Sequence, residues 1–118
     1  MLHMALSALA AASLAATPVD AAFGNTVIST YPDGRTALLW LQHDGTYSAQ
    51  GRRRTASSGR WSVKGEKLCL KQSRPIAAPM AFCTPLPASI GASAWSAKAV
   101  TGESVSVRIA VGKVMPKR

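Results

Sequence analysis

The chain is poor in the groups that most enzymes use for chemistry. Its 118 residues include only two His, two Cys and five Asp or Glu. His3 and Asp20 fall in a leader-like N-terminal stretch, which leaves His43 and four carboxylates for the rest. A Ser/His/Asp site would need His43 as its base, in a predicted tight turn with no partner to orient the ring. Glycosidase chemistry needs two carboxylates a few ångström apart across a cleft, and the four here are dispersed among separate turns. Cys69 and Cys83 do not form a CxxC pair, and with a single His they do not complete a four-ligand zinc site. There is no GxGxxG or P-loop pattern. The expectation is a protein that is not an enzyme and that carries no metal or other cofactor.

The remaining acids are all placed beside glycine, as Asp33-Gly34, Asp44-Gly45, Gly65-Glu66 and Gly102-Glu103. Gly tolerates φ > 0 and Asp bonds its own backbone, so these pairs mark tight turns. Between them lie β-branched, aromatic or alternating runs at 26–31, 36–41, 46–50, 60–64, 68–72, 93–99 and 104–111, with a further short edge strand around 80–84. In the last run Val105, Val107, Ile109 and Val111 are expected to face in. Pro75, Pro79, Pro85 and Pro87 keep their stretch out of any central strand. The predicted fold class is all-β, a small antiparallel up-and-down meander of seven to eight strands, barrel-like or half-barrel, with one disulfide.

Residues 6–16 are uncharged and rich in Ala and Leu, Thr17-Pro18 breaks them, and Val19-Asp20-Ala21 fits a cleavage site. This is the layout of a secretory signal peptide over 1–21, without the usual basic n-region, followed by a single β-meander domain over 22–118 with a basic C-terminal tail, Lys113 to Arg118. The stretch is too short for a transmembrane span. The expected location is therefore periplasmic or secreted. In that setting two Cys read as one disulfide, Cys69 to Cys83. Closing a loop of about 15 residues is worth roughly 3 kcal/mol in the chain-entropy model.

The segments Asp44-Gly45-Thr46-Tyr47, Ser58-Gly59-Arg60-Trp61-Ser62-Val63-Lys64-Gly65 and Leu68-Cys69-Leu70 resemble the DGTY … GxWxVxGxxLxL stretch of small bacterial lipocalin-like meander domains. With Phe82-Cys83-Thr84-Pro85-Leu86-Pro87, the chain also resembles a group of uncharacterised exported proteins of Gram-negative bacteria. The resemblance implies a barrel-like or half-barrel fold and a periplasmic setting, and carries over no catalytic residue. A full lipocalin is longer and places its Gly-x-Trp in the first strand, whereas Gly59-Arg60-Trp61 is mid-chain here. In so short a chain the barrel interior is expected to be filled by side chains.

Two residue groups remain as candidates for binding. Trp40, Trp61 and Trp95, with Tyr47, are read first as core and second as the lining of a ligand pocket. The charge is the other lead. Fourteen Lys and Arg against four acids give the chain beyond the leader a net +10. Arg52, Arg53, Arg54, Arg60, Lys64, Lys67, Lys71 and Arg74 fall within one short stretch and are expected to share a basic hairpin face. Such a face suits an anionic envelope polymer or lipid surface. Nucleic acid is disfavoured, because the aromatics that would stack bases are assigned to the core. The leading functional expectation is thus a non-catalytic binding module. The alternatives are an inhibitor of a secreted or periplasmic hydrolase acting through the loop at 73–79, or a lipocalin-like carrier of a small apolar ligand.

Overall fold

Repeated turn chemistry lays the chain out as a meander. The computed structural model describes residues 18–86 and 94–113. Residues 1–17 of the expected leader, Pro87, Ser93 and the tail from residue 114 lie outside that description. A 3₁₀ turn, Pro18–Ala22, precedes eight strands: β1 Thr26–Thr30, β2 Thr36–Leu41, β3 Thr46–Gln50, β4 Ala56–Lys64, β5 Lys67–Arg74, β6 Phe82–Pro85, β7 Trp95–Lys98 and β8 Ser104–Ala110. They pair antiparallel in the order β6-β5-β4-β3-β2-β1-β8-β7. Among the described residues β6 and β7 approach each other without a shared ladder, so the sheet is a nearly closed barrel.

Four hairpins use one device. In each, an N–H three residues on bonds back to a carbonyl, and the strand pair closes one residue later: Gly34 to Tyr31, Gly45 to Gln42, Arg54 to Gly51 and Gly102 to Ala99. This is a type I turn followed by a left-handed residue. Gly34, Gly45 and Gly102 supply that residue at φ 87°, 89° and 88°, and in the β3–β4 turn Arg54 adopts it at φ 66°. The acids beside the glycines act as expected. Asp33 Oδ1 accepts the Arg35 N–H at 2.9 Å, and Asp44 Oδ1 accepts the Thr46 N–H at 2.9 Å.

The register defines two faces. Val27 pairs with Leu39 and Ile109, Leu39 with Ala49, Ala49 with Ser57, Trp61 with Leu70, Leu70 with Phe82, and Trp95 with Val107. This set faces the barrel interior. Gly59 lies on the same face at a bulge between β4 and β5, where a Cβ would run into the Lys71 carbonyl oxygen. The sheet can curl there only because Gly59 has no side chain. One end of the barrel is plugged. Ala22, Leu41, Tyr47 and Leu68 are buried together, with Phe23, Trp61, Leu86 and Ile109 packed against them.

Several boundaries differ from the sequence reading. β4 begins at Ala56, inside what reads as a polar loop, because Ser57 takes an inward position opposite Ala49. Val111 lies beyond the end of β8 and is 93% exposed, so it does not join the inward set. Cys69 and Cys83 are bonded as expected and sit directly opposite each other on β5 and β6. Their alternation with Leu68 and Leu70 puts the disulfide on the outer face.

Candidate functional site

The interior above the plug is hollow. A cavity of about 260 Å³ runs between the walls formed by Val27, Leu39, Leu70, Phe82, Trp95 and Val107, and reaches Tyr31, Gly51 and Val100 at the end opposite the plug. This corrects the expectation of an interior filled by side chains. An eight-stranded barrel is just wide enough either to be filled or to hold one small ligand. The size of the inward residues decides which. Here Ser29, Ala37, Ala49, Ser57, Ala97 and Ala99 occupy inward positions, and six short side chains leave the axis empty. The signal was present in the strand runs, since inward alternation of Ala and Ser is visible there, but it shows as a hollow only once the register is known.

The lining is chiefly apolar, and no Asp, Glu or His is among the described residues of the wall. One polar atom stands out. Thr84 Oγ1, on the wall beside Leu68, is buried and has no hydrogen-bond partner. A buried hydroxyl without a partner costs about 1–3 kcal/mol.

Arg52 braces the mouth. Its guanidinium reaches from the β3–β4 turn to Glu103 in the β7–β8 turn, with Nη2 2.9 Å from Oε1 and Nη1 3.3 Å from Oε2. It also lies 4.0 Å from Asp33 Oδ2 and 4.3 Å above the Tyr31 ring. The Arg52 hydrogen bonds and the Thr101 hydroxyl at 2.9 Å hold the Glu103 carboxyl below its ordinary range. One side chain therefore ties together three turns around the opening.

The other sequence candidates separate. Trp95 lines the cavity, Trp61 belongs to the plug, and Tyr47 is buried beneath it. Burial raises the Tyr47 hydroxyl above its usual pKa. Trp61 Nε1 donates to the Gln42 carbonyl at 2.8 Å, and Phe23 is wedged between Trp61 and His43, with ring centroids 5.5 and 3.9 Å away. Trp40 departs from its expected place in the core. It alternates onto the outer face, donates to Thr26 Oγ1 at 3.0 Å and carries the Lys113 ammonium 5.1 Å over its ring.

The eight cations do not share one face. Arg60, Lys64, Lys67 and Lys71 are exposed on the outer face of β4 and β5, paired Arg60 to Lys71 and Lys64 to Lys67. Arg52, Arg53, Arg54 and Arg74 sit instead at the mouth end. Among the described residues none of the four outer cations makes an ion pair. Asp44 is nearest in effect: its carboxyl is held below the usual range by the Thr46 hydroxyl at 2.6 Å and the Thr46 N–H, with a smaller contribution from Arg60. The loop at 73–79 is exposed and anchored by Gln72, whose Nε2 donates to the Ile76 carbonyl at 2.9 Å. No helix among the described residues is long and apolar enough to cross a membrane. Comparison with known protein families, with curated proteins and with solved structures gives no match, so the chemistry of the barrel itself is what speaks to its role.

Proposed function

We propose that the protein is a non-catalytic, lipocalin-like carrier or sensor that holds one small apolar molecule inside its barrel. The observation that carries this reading is the cavity of about 260 Å³ with a chiefly apolar wall, reaching from the plug to the turns at the other end. Ligand sites are concave, mostly apolar, and fitted with few polar groups. This cavity lies just below the usual range of about 300–1,000 Å³, which suits a compact ligand. Thr84 Oγ1 supplies one hydrogen-bonding position on the wall. The ligand class is thus a small, chiefly hydrocarbon molecule carrying a hydroxyl or carbonyl that Thr84 can bond. The disulfide and the leader-like N-terminus support a periplasmic or secreted setting.

Titration with N-phenyl-1-naphthylamine tests the reading. Saturable one-to-one enhancement of fluorescence is expected, displaced by small aliphatic alcohols and lost on filling the cavity. Fluorescence that rises without saturation, or that ignores the cavity-filling substitution, would remove the proposal.

A second reading concerns the outer face. Like charges directly opposite each other on paired strands are destabilising, yet β4 and β5 carry two such pairs, Arg60 with Lys71 and Lys64 with Lys67. That arrangement favours contact with an anionic envelope polymer along this hairpin. Retention on a polyphosphate matrix, released by salt and lost in a variant with Ser at Lys64, Lys67 and Lys71, is the expected result. Retention unchanged by that variant would end this second reading.

A further inference from the structure

The mouth of the barrel differs from its walls. Among the described residues five large apolar side chains are exposed, and three of them, Ile76 at 75%, Met80 at 77% and Val100 at 76%, stand on the loops of the mouth end. Ile76 and Met80 belong to the loop that enters β6, and Val100 to the turn that leaves β7. Val100 also lines the cavity. Arg53, Arg54 and Arg74 lie at the same end, exposed, and make no ion pair among the described residues. The carboxylates of this end, Asp33 and Glu103, are engaged by Arg35 and Arg52.

Protruding apolar tips among uncommitted guanidinium groups match the interface of an anionic bilayer. Apolar side chains enter the acyl boundary while cations remain at the headgroups. A soluble polyanion would use the cations and leave Ile76, Met80 and Val100 without a role. We propose that the mouth rim docks on an anionic lipid surface, so that the cavity opens toward the bilayer. The docking surface shares only Val100 with the cavity. Its pairing with the cavity adds a source for the ligand, since small apolar molecules partition into membranes.

Flotation of the disulfide-bonded protein with vesicles tests this. Binding to phosphatidylglycerol-containing vesicles is expected, with little binding to pure phosphatidylcholine. Each rim arginine is worth about fivefold in partitioning. A variant with Ser at Arg53, Arg54 and Arg74 should therefore bind about a hundredfold more weakly. A variant with Ser at Ile76, Met80 and Val100 should lose about tenfold or more, because each inserted apolar group adds its own transfer free energy. These residues are exposed, so both variants should keep the parent melting temperature. Ser at Lys64, Lys67 and Lys71 should leave vesicle binding nearly unchanged, as should Ser at the exposed Val63 and Val111 of the opposite end. The proposal is overturned if the apolar rim variant binds like the parent, if the outer-hairpin variant is the one that loses binding, or if polyphosphate competes fully with the vesicles while the apolar variant is silent. Naphthylamine binding is read separately on the parent and on the variant with Ser at Arg53, Arg54 and Arg74, none of which lines the cavity, so failure of docking and failure of the cavity reading give different results.

Discussion

Ala49→Leu separates a ligand cavity from a packing defect. Ala49 is the next-to-last residue of β3 and lies between Leu39 and Ser57 on the cavity wall. Leu adds three carbon atoms directed at the empty axis. Each buried CH₂ is worth about 0.8 kcal/mol, so the gain is at most about 2.4 kcal/mol. Ordering the Leu side chain takes back about 0.5–1 kcal/mol. The expected net stabilisation is then about 1.5 kcal/mol. In a domain of this size each kcal/mol moves the melting temperature by about 4–8 °C, so a rise of about 6–12 °C should appear by calorimetry. The same substitution should weaken naphthylamine binding at least about tenfold, the equivalent of about 1.4 kcal/mol. Stability up and binding down is the signature of a site kept empty at the expense of stability. A lower melting temperature would mean that the wall has no room for the added carbons and that the barrel is not hollow there.

The other predictions concern the frame. Arg54→Gly should stabilise by about 1 kcal/mol in denaturant titration, since left-handed backbone costs an L-residue roughly 1–2 kcal/mol and the three sister turns use Gly; no gain would mean that contacts of the Arg54 side chain outweigh its backbone. Gly59→Ala should destabilise by about 3 kcal/mol, because its Cβ meets the Lys71 carbonyl and lies 2.9 Å from Gln72 Cα, both backbone that cannot swing aside; circular-dichroism melts would show it. Replacing both Cys69 and Cys83 with Ser should cost roughly 3 kcal/mol by loop-closure entropy, seen as an earlier urea midpoint. For the acid limb, Asp44 and Glu103 have folded pKa values below their unfolded ones. Their contribution is complete above the ordinary carboxylate range near about 4 and is lost as pH falls through the lower folded values. Glu103→Gln should therefore flatten the acid decline of the melting temperature, and an unchanged decline would show that the Arg52 brace contributes nothing to stability.

Strand alternation and turn chemistry were legible because each is local. The Asp-Gly and Gly-Glu pairs mark four turns whose glycines all take positive φ, and Val105, Val107 and Ile109 keep one face through β8. What the sequence hid depends on register. Arg52 reads as one member of a basic run, and only the curl of the barrel brings it to Glu103, 51 residues away. Trp40 reads as core because an apolar run gives no parity, and its neighbour Leu39 takes the inward place instead. The start of β4 was hidden because Ser57 and Gly59 are inward residues with polar or turn-like character.

The hollow and the rest of the frame explain each other. Small inward residues reduce the apolar area that each strand can bury, and a chain this short has little to spare. The stabilising features lie where they do not intrude on the axis. The disulfide is on the outer face between β5 and β6, the Phe23 and Trp61 plug closes one end, and Arg52 ties the turns at the other. A barrel stabilised only for folding would place its largest side chains on the axis and would not need all three. Adding Ala49→Leu should accordingly make the Cys-free protein fold under conditions where the Cys-free parent is unfolded, because the expected gain of about 1.5 kcal/mol recovers about half of the roughly 3 kcal/mol lost with the bridge. If the two changes add in this way, cavity and staple act on the same balance through separate parts of the sheet. If the Leu gain vanishes without the bridge, the wall around Ala49 is held open by the disulfide itself, and the cavity becomes a property of the oxidised protein alone.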